Sequence, residues 1–250
     1  MAVESADVRS EGGKGRACRP FVSRYAVTIA LFAVCTAMLV AVIVITGDVW
    51  TVVFDDAPGE VVYRLGGIVP AAFAWPADAW RIVASAFVHS SAGHYFGNMI
   101  VLVGACLGLE PLVGHARLVV LATASVLMGE MVGCWWFMEF EGGWVLTFGA
   151  SSMAMGIAAA GLMIVLFHEE HAYVFEGIGS PTLCLAIVAT AVSIFATPES
   201  LSSHLGGIAG GALAMLALPM RGMTTPAPVR AIATVLLAGA AVAFCLYAFA

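Results

Sequence analysis

Seven long apolar stretches separated by short polar turns constrain this chain more than anything else in its sequence. They run over about residues 25–47, 82–109, 117–138, 146–167, 181–197, 203–220 and 229–250, the fifth and sixth being the shortest. A helix needs roughly 20 apolar residues to cross a bilayer, and only helices or closed barrels satisfy their own backbone polar groups in hydrocarbon. With 62% hydrophobic and only 10% charged residues and a mean hydropathy of +1.00, 250 residues have too little polar surface to hide these stretches in a water-soluble core. The sequence therefore predicts an all-α polytopic membrane protein.

The charges set its orientation. The net charge of -6 says less about partners than the placement of the basic residues does: Arg9, Lys14, Arg16, Arg19 and Arg24, then Arg117, then Arg221 and Arg230 fall in alternate connections. Only Arg64 and Arg81 fall on the other side, which carries Asp48, Asp55, Asp56, Glu60, Asp78, Glu139, Glu141 and Glu199. By the positive-inside rule the N-terminus is cytoplasmic and, with an odd number of spans, the C-terminus is outside. Trp135, Trp136 and Trp144 flank the third outer turn, where indole rings favour the membrane interface. Residues 1–24 form a polar cytoplasmic tail, and the first apolar run is too long for a signal-peptide core, so it reads as a retained anchor. The first outer loop, 48–81, carries Trp75, Pro76, Trp80 and Arg81 and is expected to lie against the outer leaflet. No internal repeat or second domain is visible.

Cys35, Cys106, Cys134, Cys184 and Cys245 lie in or beside apolar runs and Cys18 in the tail, with no C-x-x-C spacing, so they read as reduced packing residues. The "HEEH" at His168 to His171 resembles a zincin motif only superficially. Its histidines are three apart, where H-E-x-x-H needs four. No cofactor or metal is expected.

Polar side chains are costly in hydrocarbon, so each one there is a functional hypothesis. They are His94 and Asn98 in the second run, Glu130 in the third, Ser151 and Ser152 in the fourth, and His204 in the sixth. These even-numbered runs all cross from outside to inside. Ser151 and His204 stand near the starts of theirs and His94 somewhat deeper by count, so all reach the outer part of the bilayer. His94 and Asn98 are four apart, on one helix face.

A hydroxyl, two imidazoles and a carboxamide at one level match nucleophilic acyl transfer. His204 would take the proton of the serine, and the His94 ring, the Asn98 amide and the Ser151 backbone N–H are candidate oxyanion donors. Taken singly, each has a plainer reading. Membrane serines usually pack and bond to the preceding turn, and histidine and asparagine often serve as interhelical glue. Coincidence in depth and nearby glycines favour the chemical reading: Gly207 and Gly211 form a G-x-x-x-G after His204, and Gly149 and Gly156 bracket the serines. Glu130 reads as a protonated carboxyl bonded to a neighbouring helix, and Ser152 as packing in a seam against the Gly207 to Gly211 face.

Four motifs in order then resemble the rhomboid intramembrane serine proteases. They are "WRIVASAFVHSSAGHYFGN" with His89, His94 and Asn98 in an H-x-x-x-x-H-x-x-x-N pattern; "LGLEPLVG" with Glu110 and Gly114; "GASS"; and "HLGGIAGG" from His204. The resemblance implies a six-helix catalytic core, 25–220, with a dyad of Ser151 and His204 and oxyanion contacts from His94 and Asn98. Residues 221–250 would add a short loop and a seventh helix. It also implies cleavage of transmembrane segments of membrane-protein substrates within the lipid bilayer of the cell membrane, near the outer face, with no nucleic-acid partner. Two positions depart from the family: Ser152 where a glycine is usual after the nucleophile, crowding the fourth and sixth helices, and Met155 where an aromatic ring often stacks on the catalytic histidine. The competing classes are an inactive rhomboid-like binder of membrane helices and a small-solute transporter. A fluorophosphonate probe separates the first reading from both.

Overall fold

Helices carry the chain in the computed structural model, which describes residues 20–168, 179–196, 200–220 and 222–249. The long ones are α1 (Ala26–Thr46), α2 (Ala92–Val113), α3 (His115–Phe140), α4 (Ser151–Phe167), α5 (Gly179–Ala196), α6 (Leu201–Ala217) and α7 (Ala227–Phe249). Among the described residues no strand forms, only isolated bridges at Ile68–Thr147 and His168–Met223. Within those residues α1, α2 and α3 are long and apolar enough to cross a membrane, and the other four carry shorter apolar stretches. The protein is an all-α polytopic membrane protein. Residues 1–19 of the N-terminal tail, with Cys18, and the "HEEH" residues after His168 lie outside the described residues. Cys35, Cys106, Cys134 and Cys184 are free thiols.

Two helices start later than their apolar runs. α2 begins at Ala92 and not at 82, because Ser91 has extended backbone and its hydroxyl accepts from the His94 N–H, capping the helix. Residues 81–87 instead form two short turns, Arg81–Ala84 and Ser85–Phe87. His94 thus sits in the first turn of its helix, as Ser151 does in α4. α4 begins at Ser151 and not at 146. The residues before it run alongside Ile68, whose N–H and C=O exchange bonds of 2.9 and 2.7 Å with Thr147.

The connection over 48–81 is folded. Helices Val49–Phe54 and Gly59–Arg64 bury Val52, Val61 and Val62 with Val42 of α1 and Val88 in a small apolar cluster of their own. Arg81 ties the loop together: its guanidinium donates to Asp78 at 2.7 Å and to the carbonyls of Tyr63 and Gly67, and it lies 4.0 Å from the Tyr63 ring centroid. The hydrogen bond from Arg81, then that from the Ala74 N–H, hold the Asp78 carboxyl below the usual carboxylate range. Trp50, Phe54 and Trp80 stay exposed.

At the other end of the bundle Glu110, buried near the end of α2, takes the first amides of α1. Its carboxylate accepts from the N–H groups of Val27 and Thr28 at 2.8 and 2.9 Å, and from the Thr28 hydroxyl. These are donors that a helix leaves without an intrahelical partner. Its remaining contact is His115 Nδ1 at 2.6 Å, one residue past Gly114, whose φ of 82° turns α2 into α3.

α6 is wedged between α3 and α4 on a glycine face. A Cβ at Gly206 would lie 2.9 Å from the Val132 side chain, and one at Gly210 2.9 Å from that of Met128, both on α3. One at Gly207 or Gly211 would lie 2.7 Å from the Cα of Ser152 or Gly156 on α4. Helices pack this closely in a membrane only where side chains are missing, because van der Waals contact, not exclusion of water, drives their association. α7 packs chiefly on α6, outside this core.

Candidate active site

The glycine seam sets the register that matters. His204 lies one turn before Gly207, and Gly207 rests on the backbone of Ser152. The first turns of α4 and α6 are thereby pressed together, and His204 Nε2 comes to 2.9 Å from Ser151 Oγ. The histidine is buried and the serine partly open. Both line a cavity of about 450 Å³ that also receives His94, Asn98, Glu130 and Met155. α4 and α6 have 17 residues each, so about 26 Å of helix. This falls short of the roughly 30 Å hydrocarbon core.

Ser151 is the first residue of α4, so its N–H is one of the amides without an intrahelical acceptor and it points out of the helix start. Just before it, Gly149 has φ 113°, a region that disfavours any side chain. A Cβ there would fall 2.7 Å from His94 Nε2 and 3.4 Å from Asn98 Nδ2. The backbone ahead of Ser151 therefore runs directly against both α2 side chains. Asn98 Nδ2 is buried with no hydrogen-bond partner, a donor left over at the site. The four site residues expected from the sequence are brought together.

His94 is held by rings. It lies edge-on to His89 at 5.1 Å and to Phe148 at 5.4 Å, and His89 is edge-on to Tyr95 at 5.5 Å. His89 is fully buried, with Nδ1 3.2 Å from the Phe87 carbonyl. That contact makes Nδ1 the protonated nitrogen. In the sequence the one signal of this supporting role is the spacing of His89 from His94 in the H-x-x-x-x-H-x-x-x-N pattern.

Ser152 corrects an expectation. Its backbone, not its side chain, meets Gly207, which leaves no room for a hydroxymethyl between α4 and α6. The side chain turns to α3 and fills the space over Gly129, where a Cβ would lie 2.6 Å from Ser152 Cβ. The extra hydroxymethyl is thus accommodated by a glycine on a third helix. Glu130 also differs from expectation: its partners are Ser85 and Thr147 in connecting segments, at 3.1 and 3.4 Å, and not a neighbouring helix.

Among curated proteins none matches this chain. The family model described as the Rhomboid domain matches residues 76–221, from the end of the 48–81 connection through α6. That match takes in every motif that converges on the cavity and more than half of the sequence, so the chain belongs to the rhomboid family.

Proposed function

We propose that the protein is an intramembrane serine endopeptidase that hydrolyses peptide bonds in or near transmembrane segments of other membrane proteins. The observation that carries this reading is the 2.9 Å contact between Ser151 Oγ and His204 Nε2 at a cavity of about 450 Å³. In the reactive tautomer the serine hydroxyl donates to unprotonated Nε2. As Oγ attacks the scissile carbonyl carbon, its proton passes to His204 and the carbonyl oxygen takes the negative charge. The unpaired Asn98 amide, the Ser151 N–H at the positive end of α4 and the His94 ring supply donors for that oxygen. Collapse expels the amine, which takes the proton from His204, and leaves an acyl ester on Ser151. A water deprotonated by His204 then releases the second product.

The site suits a substrate already in the bilayer, since the dyad is carried by two membrane helices. We place the N-terminus in the cytoplasm and the cavity toward the extracytoplasmic face of the cell membrane, from the basic residues at Arg24, Arg117 and Arg230. Reporter fusions at the two termini test this orientation. The catalytic assignment is tested with purified protein in detergent, using a fluorophosphonate probe and a model transmembrane substrate. Ser151→Ala is expected to abolish labelling and cleavage, and His204→Ala to abolish cleavage with the fold intact. Cleavage at near the native rate in either variant overturns the dyad.

A further inference from the structure

Glu130 has no part in the chemistry above, yet it is a buried carboxyl at the wall of the same cavity. Its two oxygens bond to different segments. Oε1 accepts from the Ser85 hydroxyl, which also lies 3.4 Å from the Ile82 carbonyl; Oε2 accepts from the Thr147 hydroxyl, which also lies 3.4 Å from the Ile68 carbonyl. Ser85 belongs to the turn that follows the first outer loop, and Thr147 to the segment that leads into the nucleophile. The same two segments meet through backbone: the Gly149 N–H donates to the Ser85 carbonyl at 2.9 Å, and Thr147 pairs with Ile68. Gly149 in turn lies against His94 and Asn98.

We propose that Glu130 is a positioning residue for this site: its carboxyl, anchored on α3, joins Ser85 to Thr147 and so fixes the backbone of Gly149 against His94 and Asn98. The inference rests on the proteolytic reading and deepens it. Three short segments converge there, those of Ile68, Ser85 and Thr147, and none of them belongs to a long helix. A carboxyl on a rigid helix supplies two acceptors at fixed separation, which a single hydroxyl or backbone group cannot. Supporting groups of this kind set how closely the reacting groups keep their geometry, and a misplacement of about 1 Å costs up to about 10²-fold in rate.

The test compares kcat and KM for a model transmembrane substrate across Glu130→Leu, Glu130→Gln, Thr147→Val and the Leu/Val double variant, with Ser151→Ala as control. Leucine removes both acceptors at similar volume. It is expected to lower kcat roughly 10- to 10²-fold with KM nearly unchanged. Glutamine keeps one acceptor and offers an N–H to a hydroxyl that can rotate to accept, so it restores most of the rate. Because Glu130 acts through Thr147, the double variant should lose little more than the Leu single variant. Native kcat in Glu130→Leu, or losses that multiply in the double variant, overturns the positioning role while an inactive Ser151→Ala leaves the dyad standing. An active Ser151→Ala overturns the reading beneath it. If Glu130→Leu does not fold, Ser85→Ala combined with Thr147→Val removes both partners instead, and native kcat there overturns the proposal.

Discussion

At the residue scale the adjacent serines face different helices because a helix turns about 100° per residue. Ser151 faces His204, while Ser152 faces Gly129 of α3. Ser152→Gly and Ser152→Ala should therefore keep fluorophosphonate labelling within a few-fold of the native rate, which peptide mapping of the labelled protein can check. A probe found on Ser152 would refute the division. Asn98→Ala and His94→Ala should each lower kcat by roughly 10²–10³ if each supplies a strong oxyanion donor, with smaller effects on KM. An unchanged kcat in both would return them to packing roles. His94, Asn98, Ser151 and His204 were legible in the sequence because polar groups are rare in hydrocarbon. Where α2 begins was not legible: apolarity sets in at 82, whereas the Ser91 cap delays the helix to Ala92.

At the element scale the α3–α6–α4 contact is the most exacting in the molecule. Gly211 lies on the backbone of Gly156, which cannot yield as a flexible side chain can. Gly211→Val should cost at or beyond the upper end of the roughly 1–3 kcal/mol typical of overpacking, seen as a lower thermal midpoint in detergent. A native midpoint would show that the helices are not in contact there. The G-x-x-x-G spacing announced a close approach by some helix. It did not reveal that Gly206 and Gly210 serve α3 while Gly207 and Gly211 serve α4, because a spacing names a face and not its neighbour. Glu110 was likewise visible only as a motif letter. Its partners, the first amides of α1, lie more than eighty residues away in sequence. Glu110→Ala leaves those donors unpaired, at about 1–3 kcal/mol for a buried one. The thermal midpoint should fall while the labelling rate below it is unchanged; an unchanged midpoint would refute the clamp.

At the scale of the whole molecule, α7 packs chiefly on α6, and among the described residues none of α7 lines the cavity. A chain ending at residue 220 should therefore still fold and label at Ser151, with some loss of thermal stability; no labelling in a folded truncation would show that α7 acts on the site. Membrane residence, helical class and approximate spans were determined by the sequence alone, because hydrocarbon leaves an apolar chain almost no choice but helices that satisfy their own backbone. The candidate catalytic groups followed from the same cost, since an unneeded polar side chain is not tolerated there. Tertiary structure alone decided what depends on which surfaces meet: the folding of the 48–81 connection, the pairing of Ile68 with Thr147, the turn of Ser152 toward α3, and the bridging of Ser85 and Thr147 by Glu130. Inside a bilayer, apolar faces are equivalent to lipid and carry no preference for one partner over another. Close packing of small residues and a few buried hydrogen bonds choose among them, and both are properties of residues distant in sequence.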